Sequence, residues 1–177
     1  QLSVNAGTRI HGILSASQDL YSDGTLFSTS GRGIFGASVT VCSDSRIDSS
    51  CRLGSALFVD SGGKFQTNVT IAGIAKVCMD TGISGTASIT QHCFGERSLS
   101  IGTDACIGGF ISLRADLSGQ GTLSIKERST IDSYTSITGS SNFGSPVSIL
   151  GSVKLGSGIS TVGTCCINSL ISADSNI

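Results

Sequence analysis

Six residues with polar ligand atoms recur at multiples of twelve positions: Asp44, Asn68, Asp80, His92, Asp104 and Asp116. Carboxylate and amide oxygens are the ligands that calcium prefers, so a stacked column of them would bind a cation. Aspartate and asparagine are also residues that tight turns select. The sequence favours the second interpretation, in which these residues occupy exposed corners and bind no metal.

Other chemical motifs are weak. Residues 31–36 read GRGIFG and match the dinucleotide pattern GxGxxG, but no helical periodicity follows them, as such a site requires. They are predicted to be glycines at chain corners. The two histidines are His11 and His92, and no GxSxG nucleophile motif is present. We therefore expect no catalytic residue, no metal and no cofactor, and we expect that the chain is not an enzyme.

Composition excludes several partners. The 177 residues carry a net charge of −1 without a basic block, which argues against nucleic acid. No stretch of about 18 apolar residues is present, so no membrane span is predicted. The length is typical of one domain.

The cysteines predict an extracellular or surface location. The sequence has seven: Cys42, Cys51, Cys78, Cys93, Cys106, Cys165 and Cys166. We expect disulfides that join neighbouring coils or chains, with one thiol left free or bonded to another chain because the number is odd. Asn68-Val69-Thr70 is a glycosylation sequon, which makes Asn68 the candidate glycosylated residue.

A six-residue period sets the fold prediction. From Phe35 to Ile167, 20 of 23 positions at this spacing are large and apolar. A helix would repeat its apolar residues every three and four positions instead. A second inward candidate lies two positions before each apolar residue, and Gly or Asp often follows it. Each unit is therefore predicted to be a short strand and a turn.

A twelve-residue period overlies the first. Serine occupies the position between two inward residues in eight consecutive blocks: Ser88, Ser100, Ser112, Ser124, Ser136, Ser148, Ser160 and Ser172. We expect these side chains to point outward and to form ladders of hydroxyls. Earlier blocks place Arg52, Lys64 and Lys76 at this position, which predicts a solvated basic strip.

The units Ile107–Ser112 and Leu155–Ser160 resemble the hexapeptide-repeat family, and the resemblance covers roughly residues 35 to 172. It implies an all-β, single-domain parallel β-solenoid, with a left-handed, three-sided coil favoured. A two-layer coil of twelve residues or a wider coil would also explain the longer period. Family carbonic anhydrases bind zinc with three histidines, whereas this chain has two. Family acyltransferases use one histidine, but no donor-binding element accompanies His92.

The sequence therefore predicts two regions, irregular N-terminal turns or a cap over residues 1–34 and a regular solenoid over 35–177. The expected function is structural: an extracellular subunit that self-associates end to end into a filament, stalk, hair or coat. The alternative is a module that binds ice or glycans through its outer face. Serine lacks the methyl group that makes threonine arrays on insect ice-binding solenoids half apolar.

Overall fold

The structure is a computed structural model that describes residues 2–4, 8–22, 26–42 and 44–174. The described residues form 29 strands of three or four residues, with no helix among them. The strands build three parallel sheets, and the chain visits the three in turn. The predicted all-β parallel solenoid with a three-sided coil is confirmed, and the two-layer and wider coils are excluded. Left-handedness stays a prediction.

Each sheet takes every third strand. The first sheet contains β1 (Leu2–Val4), β4 (Leu20–Ser22), β7 (Val39–Val41), β10 (Leu57–Val59), β13 (Ala75–Val77), β16 (Cys93–Gly95), β19 (Ile111–Leu113), β22 (Ser129–Ile131), β25 (Val147–Ile149) and β28 (Cys165–Ile167). The second contains β2 (Thr8–Ile10), β5 (Leu26–Thr29), β8 (Asp44–Ile47), β11 (Gly63–Phe65), β14 (Thr81–Ile83), β17 (Leu99–Ile101), β20 (Leu117–Gly119), β23 (Thr135–Ile137), β26 (Val153–Leu155) and β29 (Ile171–Ala173). The third contains β3 (Leu14–Ala16), β6 (Gly33–Phe35), β9 (Cys51–Leu53), β12 (Val69–Ile71), β15 (Ala87–Ile89), β18 (Ala105–Ile107), β21 (Leu123–Ile125), β24 (Ser141–Phe143) and β27 (Ile159–Thr161).

One coil is 18 residues long, and both the strand register and the hydrogen bonds between corners have this spacing. Leu57 is thus paired with Ala75, and Ala75 with Cys93. Register partners are 19 residues apart in one coil, which has one extra residue between Ser22 and Phe27. The described strands before residue 35 belong to the same three sheets as the later ones. The described part of this region thus contains one inserted residue, and the division at residue 35 stays a prediction.

The core runs along the axis of the solenoid. In the three-residue strands from β6 onward, the first and third residues point inward and the second points outward, because side chains alternate along a strand. In the four-residue β8 the inward residues are Ser45 and Ile47. The predicted apolar positions from Phe35 to Leu155 are almost all buried. Gly95 and Gly119 interrupt the period without leaving a gap, since Leu113 Cδ2 and Ile137 Cδ1 lie 2.6 Å and 3.0 Å from where a Cβ would stand.

One coil differs from the others in its interior. Ser129, Thr135 and Ser141 are the first inward residues of β22, β23 and β24, and all three are fully buried. Their hydroxyls have no hydrogen-bond partner among the described residues. This coil therefore brings three inward hydroxyls into one layer, at a cost in stability. The other buried hydroxyl residues lie in earlier coils: Ser22, Thr29, Ser45 and Thr81.

Backbone hydrogen bonds between coils continue past the strand ends. At the start of β10, Leu57 N donates to Ile74 O of the next coil (2.9 Å). Just after β10, Asp60 N donates to Val41 O of the preceding coil (2.9 Å). The close approach of coils explains a glycine at some corners: a Cβ at Gly54 would stand 2.5 Å from the carbonyl oxygen of the corner one coil earlier. The corners are therefore part of the sheets' hydrogen-bonded framework.

Candidate functional site

The outer face of the first sheet carries two adjoining grooves. The first has a volume of about 360 Å³ and is lined by Lys76, Val77, Phe94, Gly95, Glu96, Ser112 and Arg114. The second, of about 490 Å³, is lined by Phe110, Ser112, Glu127, Arg128, Thr130 and Ser145. Ser112 belongs to both. These volumes lie in the range of small-molecule binding sites, and we call the pair the double groove.

Register explains why these residues meet. Lys76, Phe94 and Ser112 are the outward residues of the successive strands β13, β16 and β19. Neighbouring parallel strands lie about 4.8 Å apart, so the three side chains form a row along the solenoid. The row joins an ammonium group, an aromatic ring and a hydroxyl on one rigid surface.

Three aromatic rings form a cluster at one side of the double groove. The rings of His92 and Phe110 stack with centroids 4.0 Å apart and planes inclined by 28°. Phe94 meets Phe110 edge to face at 5.1 Å and 90°. Such contacts stabilise a particular ring orientation. Phe94 is therefore held in place at the wall of the first groove.

The charges around the first groove favour an anion. Lys76 and Arg114 are exposed cations and Glu96 is an exposed acid. Among the described side chains the one ion pair joins Arg46 to Asp48, so neither cation of the groove has a described carboxylate within bonding distance. Both are available to an anionic ligand.

The eight predicted serines are placed outward but are divided among three faces. Ser112 and Ser148 lie on the first sheet, Ser100, Ser136 and Ser172 on the second, and Ser88, Ser124 and Ser160 on the third. A twelve-residue step moves the chain to another face, so these serines are never register partners of one another. Other hydroxyls complete two short rows: Thr130 stands between Ser112 and Ser148, and Ser118 between Ser100 and Ser136.

The predicted basic strip is wrong for the same reason. Arg52 is on the third sheet, Lys64 on the second and Lys76 on the first. All three are exposed. A twelve-residue step places them on three faces, so they are separate charges and form no common surface.

The polar corner column is also divided among the three corners. Each described side chain in it accepts a hydrogen bond from the backbone 18 residues later: Asn68 Oδ1 from Thr86 N (2.9 Å), Asp80 Oδ1 from Ser98 N (3.1 Å), His92 Nδ1 from Phe110 N (3.2 Å), Asp104 Oδ1 from Thr122 N (2.7 Å) and Asp116 Oδ1 from Tyr134 N (3.1 Å). The side chain of Asp44 lies outside the described part. These residues tie one coil to the next, and no described trio of His, Cys, Asp or Glu is grouped to hold a metal ion.

Small residues accompany several of these inter-coil bonds. In three of these bonds a glycine directly precedes the residue whose backbone N–H is the donor. A Cβ at this glycine would collide with the acceptor atom, and the pairs of glycine and acceptor are Gly85 and Asn68, Gly109 and His92, and Gly121 and Asp104. Ser133 fills this place beside Asp116 and donates to its Oδ1 (2.6 Å). The acceptor side chain therefore depends on a small residue in the next coil, which leaves room for it.

The glycine-rich run 31–36 forms corners and a strand. Gly33 is the first inward residue of β6, and Gly31 and Gly36 lie at the corners on either side. No helix follows in the described chain, as a dinucleotide site would require. The prediction of corner glycines is confirmed for Gly31 and Gly36. His11 lies exposed at another corner.

All seven cysteines are free in the structure. Adjacent coils are separated by about 4.8 Å, and disulfide-bonded Cα atoms by about 4.4–6.8 Å. A disulfide between neighbouring coils therefore needs cysteines one coil length apart in the chain, and no two of these seven have that separation. The expected disulfides between coils are not formed, and bonds between chains stay a prediction.

The thiols differ strongly in environment. Burial raises the pKa of both Cys51 and Cys93 to about 12, because the core disfavours a thiolate. Burial, followed by the neighbouring carboxylates of Asp60 and Glu96, raises the pKa of Cys78. Cys106, Cys165 and Cys166 are exposed. Burial therefore disfavours thiolate chemistry at Cys51 and Cys93.

The sequon lies at an accessible corner. Asn68 is exposed and directly precedes β12, in which Thr70 points outward. The carbonyl oxygen of the Asn68 amide is engaged by Thr86 N. A glycan on Asn68 stays a prediction.

The last described coil exposes its inner side. Ile171, the first inward residue of β29, is 48% exposed, and the corner residues Val162 and Leu170 are 68% and 79% exposed. An apolar cavity of about 360 Å³ is lined there by Leu155, Ile159, Thr161, Cys165, Ile167 and Ile171. The far edges of β27, β28 and β29 pair with no described strand. This surface, which we call the open coil, has the pattern of an interior.

These features define the protein as a three-sided parallel β-solenoid with a grooved outer face and an open coil. No family model matches the chain, and neither a curated protein nor a solved structure matches it. No described helix is long and apolar enough to cross a membrane.

The six- and twelve-residue periods did not predict the double groove, because they do not say which outward residues are neighbours on one sheet. Lys76, Phe94 and Ser112 follow one another at the longer interval of one full coil. Reading the outward positions at the length of one coil would have placed the three side by side.

Proposed function

We propose that the protein is a structural solenoid whose copies associate end to end through the open coil. The observation that carries the proposal is the exposure of the inward residue Ile171 and of the apolar cavity around it, beside strand edges without a described partner. Unpaired edges are templates for a further parallel coil. Covering apolar side chains contributes about 25 cal/mol for each Å² removed from water, and the freedom that the chains lose on association opposes this gain.

The occupant is the first coil of a second copy. Its β1 would pair with β28 and its β2 with β29, which continues the first and second sheets in parallel. Each of these sheets contains ten described strands. With about 4.8 Å between strands, the repeat along a filament would be about 48 Å.

Sedimentation velocity and electron microscopy of the purified chain test the proposal. We expect concentration-dependent association and rods with the stated repeat. Ile171→Lys should abolish it, because a charge at this inward position of β29 is then buried against the next copy. Leu150→Lys is the matched control, since Leu150 is 51% exposed at a corner away from the open coil. A monomer at all concentrations, or equal loss in both variants, would contradict the proposal.

An extracellular or surface location belongs to the same proposal. The register brings no two cysteines together, and we therefore expect disulfides between different chains at the exposed Cys106, Cys165 or Cys166. Non-reducing mass mapping of the protein from its native source tests this, and seven reduced thiols there would argue against that location.

A further inference from the structure

We propose that the double groove binds an anionic oligosaccharide, a chain of pyranose rings bearing carboxylate or sulfate groups. The inference names a site on the side of the solenoid and does not depend on end-to-end association. It rests on the aromatic wall, the two cations that lack a described carboxylate partner and the polar extension into the second groove.

Phe94 supplies the surface for a sugar ring. One side of a pyranose exposes several weakly positive C–H groups, and these are attracted to the electron-rich face of an aromatic ring. Phe94 is only partly buried and lines the first groove. Because Phe94 packs at 90° against Phe110, which is itself stacked on His92, little ordering is needed when a ligand binds.

The cations select the charge of the ligand. Lys76 directly neighbours Phe94 in register, and Arg114 lines the same groove. An arginine forms two parallel hydrogen bonds to a carboxylate or sulfate, and a lysine acts as a compact charge. With Glu96 included, the first groove has two positive groups and one negative, which suits a monoanionic sugar.

The second groove suits the hydroxyls of the next sugar. Ser112 connects the two grooves, and Thr130, Glu127 and Arg128 provide donors and acceptors beyond it. The charges of Glu127 and Arg128 are opposite, so the second groove has no preference for an anion. A small apolar contact with a few oriented polar groups is the usual composition of a ligand site.

Isothermal titration with hexasaccharides tests the proposal. The probes are an oligogalacturonate, a sulfated heparin hexasaccharide and neutral maltohexaose. We expect binding of one or both anionic probes, with an affinity that falls as salt is added, and no binding of the neutral one. The two anionic probes distinguish carboxylate from sulfate.

Variants locate the site. Phe94→Ala and the double variant Lys76→Gln/Arg114→Gln should each weaken binding by about tenfold or more. Phe58→Ala, on the same face outside the double groove, and Arg52→Gln/Lys64→Gln, on other faces, are the matched controls. Phe94→Leu replaces Phe94→Ala if circular dichroism shows that the latter does not fold. Equal binding of maltohexaose, equal effects of the controls, or no binding of either anionic probe would overturn the proposal.

Discussion

The imidazole of His92 binds the backbone of Phe110 one coil later and also stacks on its ring. Nδ1 of His92 accepts a hydrogen bond from Phe110 N at 3.2 Å, and the ring centroids lie 4.0 Å apart. One side chain therefore serves both as an inter-coil acceptor and as support for the aromatic wall of the double groove.

Replacing His92 separates these two roles. His92→Ala should lower the free energy of unfolding by about 1–2 kcal/mol, since it removes an acceptor and a ring contact. His92→Asn should recover part of this loss, because an amide oxygen accepts the same bond beside Thr86 in an earlier coil. Urea denaturation measures both. His11→Ala, at an exposed corner, is the control, and an equal loss in all three variants would contradict the role of the acceptor.

Gly85 is required by the Asn68 corner. A Cβ at Gly85 would stand 2.5 Å from Asn68 Oδ1 and 2.6 Å from the carbonyl carbon of Thr67. Gly85→Ala should therefore destabilise the fold by about 1–3 kcal/mol. Gly82→Ala is the control, since a Cβ there meets nothing within 4 Å. A smaller conformational loss on folding should make that variant neutral or slightly more stable. Thermal unfolding compares the two, and equal midpoints would contradict the prediction.

The buried hydroxyl of Thr135 destabilises the core. It has no described hydrogen-bond partner, and Thr135 is 1% exposed. Thr135→Val keeps the shape and removes the polar atom, so the free energy of unfolding should rise by about 1 kcal/mol. Thr70→Val, at an exposed outward position of β12, should not raise it. A loss of stability in Thr135→Val, measured by urea denaturation, would show that the hydroxyl is satisfied in solution.

The thiols should react in a fixed order with an alkylating reagent. At pH 8, a thiol with a pKa of about 12 is ionised in roughly one molecule in ten thousand, and burial further excludes the reagent. Cys51 and Cys93 should therefore be labelled only after denaturation, whereas Cys106 and Cys166 are labelled in the native protein. Raising the pH towards 12 should speed labelling of the buried pair, because thiolate is the reactive form. Peptide mass mapping measures the order, and rapid native labelling of Cys93 would show that the core opens.

The sequence alone determined the solenoid, the inward residues and the outward direction of the repeated serines. Its six-residue period is a local property: an inward residue at i−2 and i, then a turn, is visible in the order of residues such as Ala105, Ile107 and Gly108. Burial of apolar side chains permits few other arrangements of that pattern.

Only the tertiary structure decided which residues become neighbours. Coil length is set by how many strands close around the core, and three strands make 18 residues the distance between neighbours. That length divides the serines, the cations and the corner carboxylates of the twelve-residue pattern among three faces. It also makes direct neighbours of Lys76, Phe94 and Ser112, because neighbours across a parallel sheet are chosen by closure of the coil and not by local sequence.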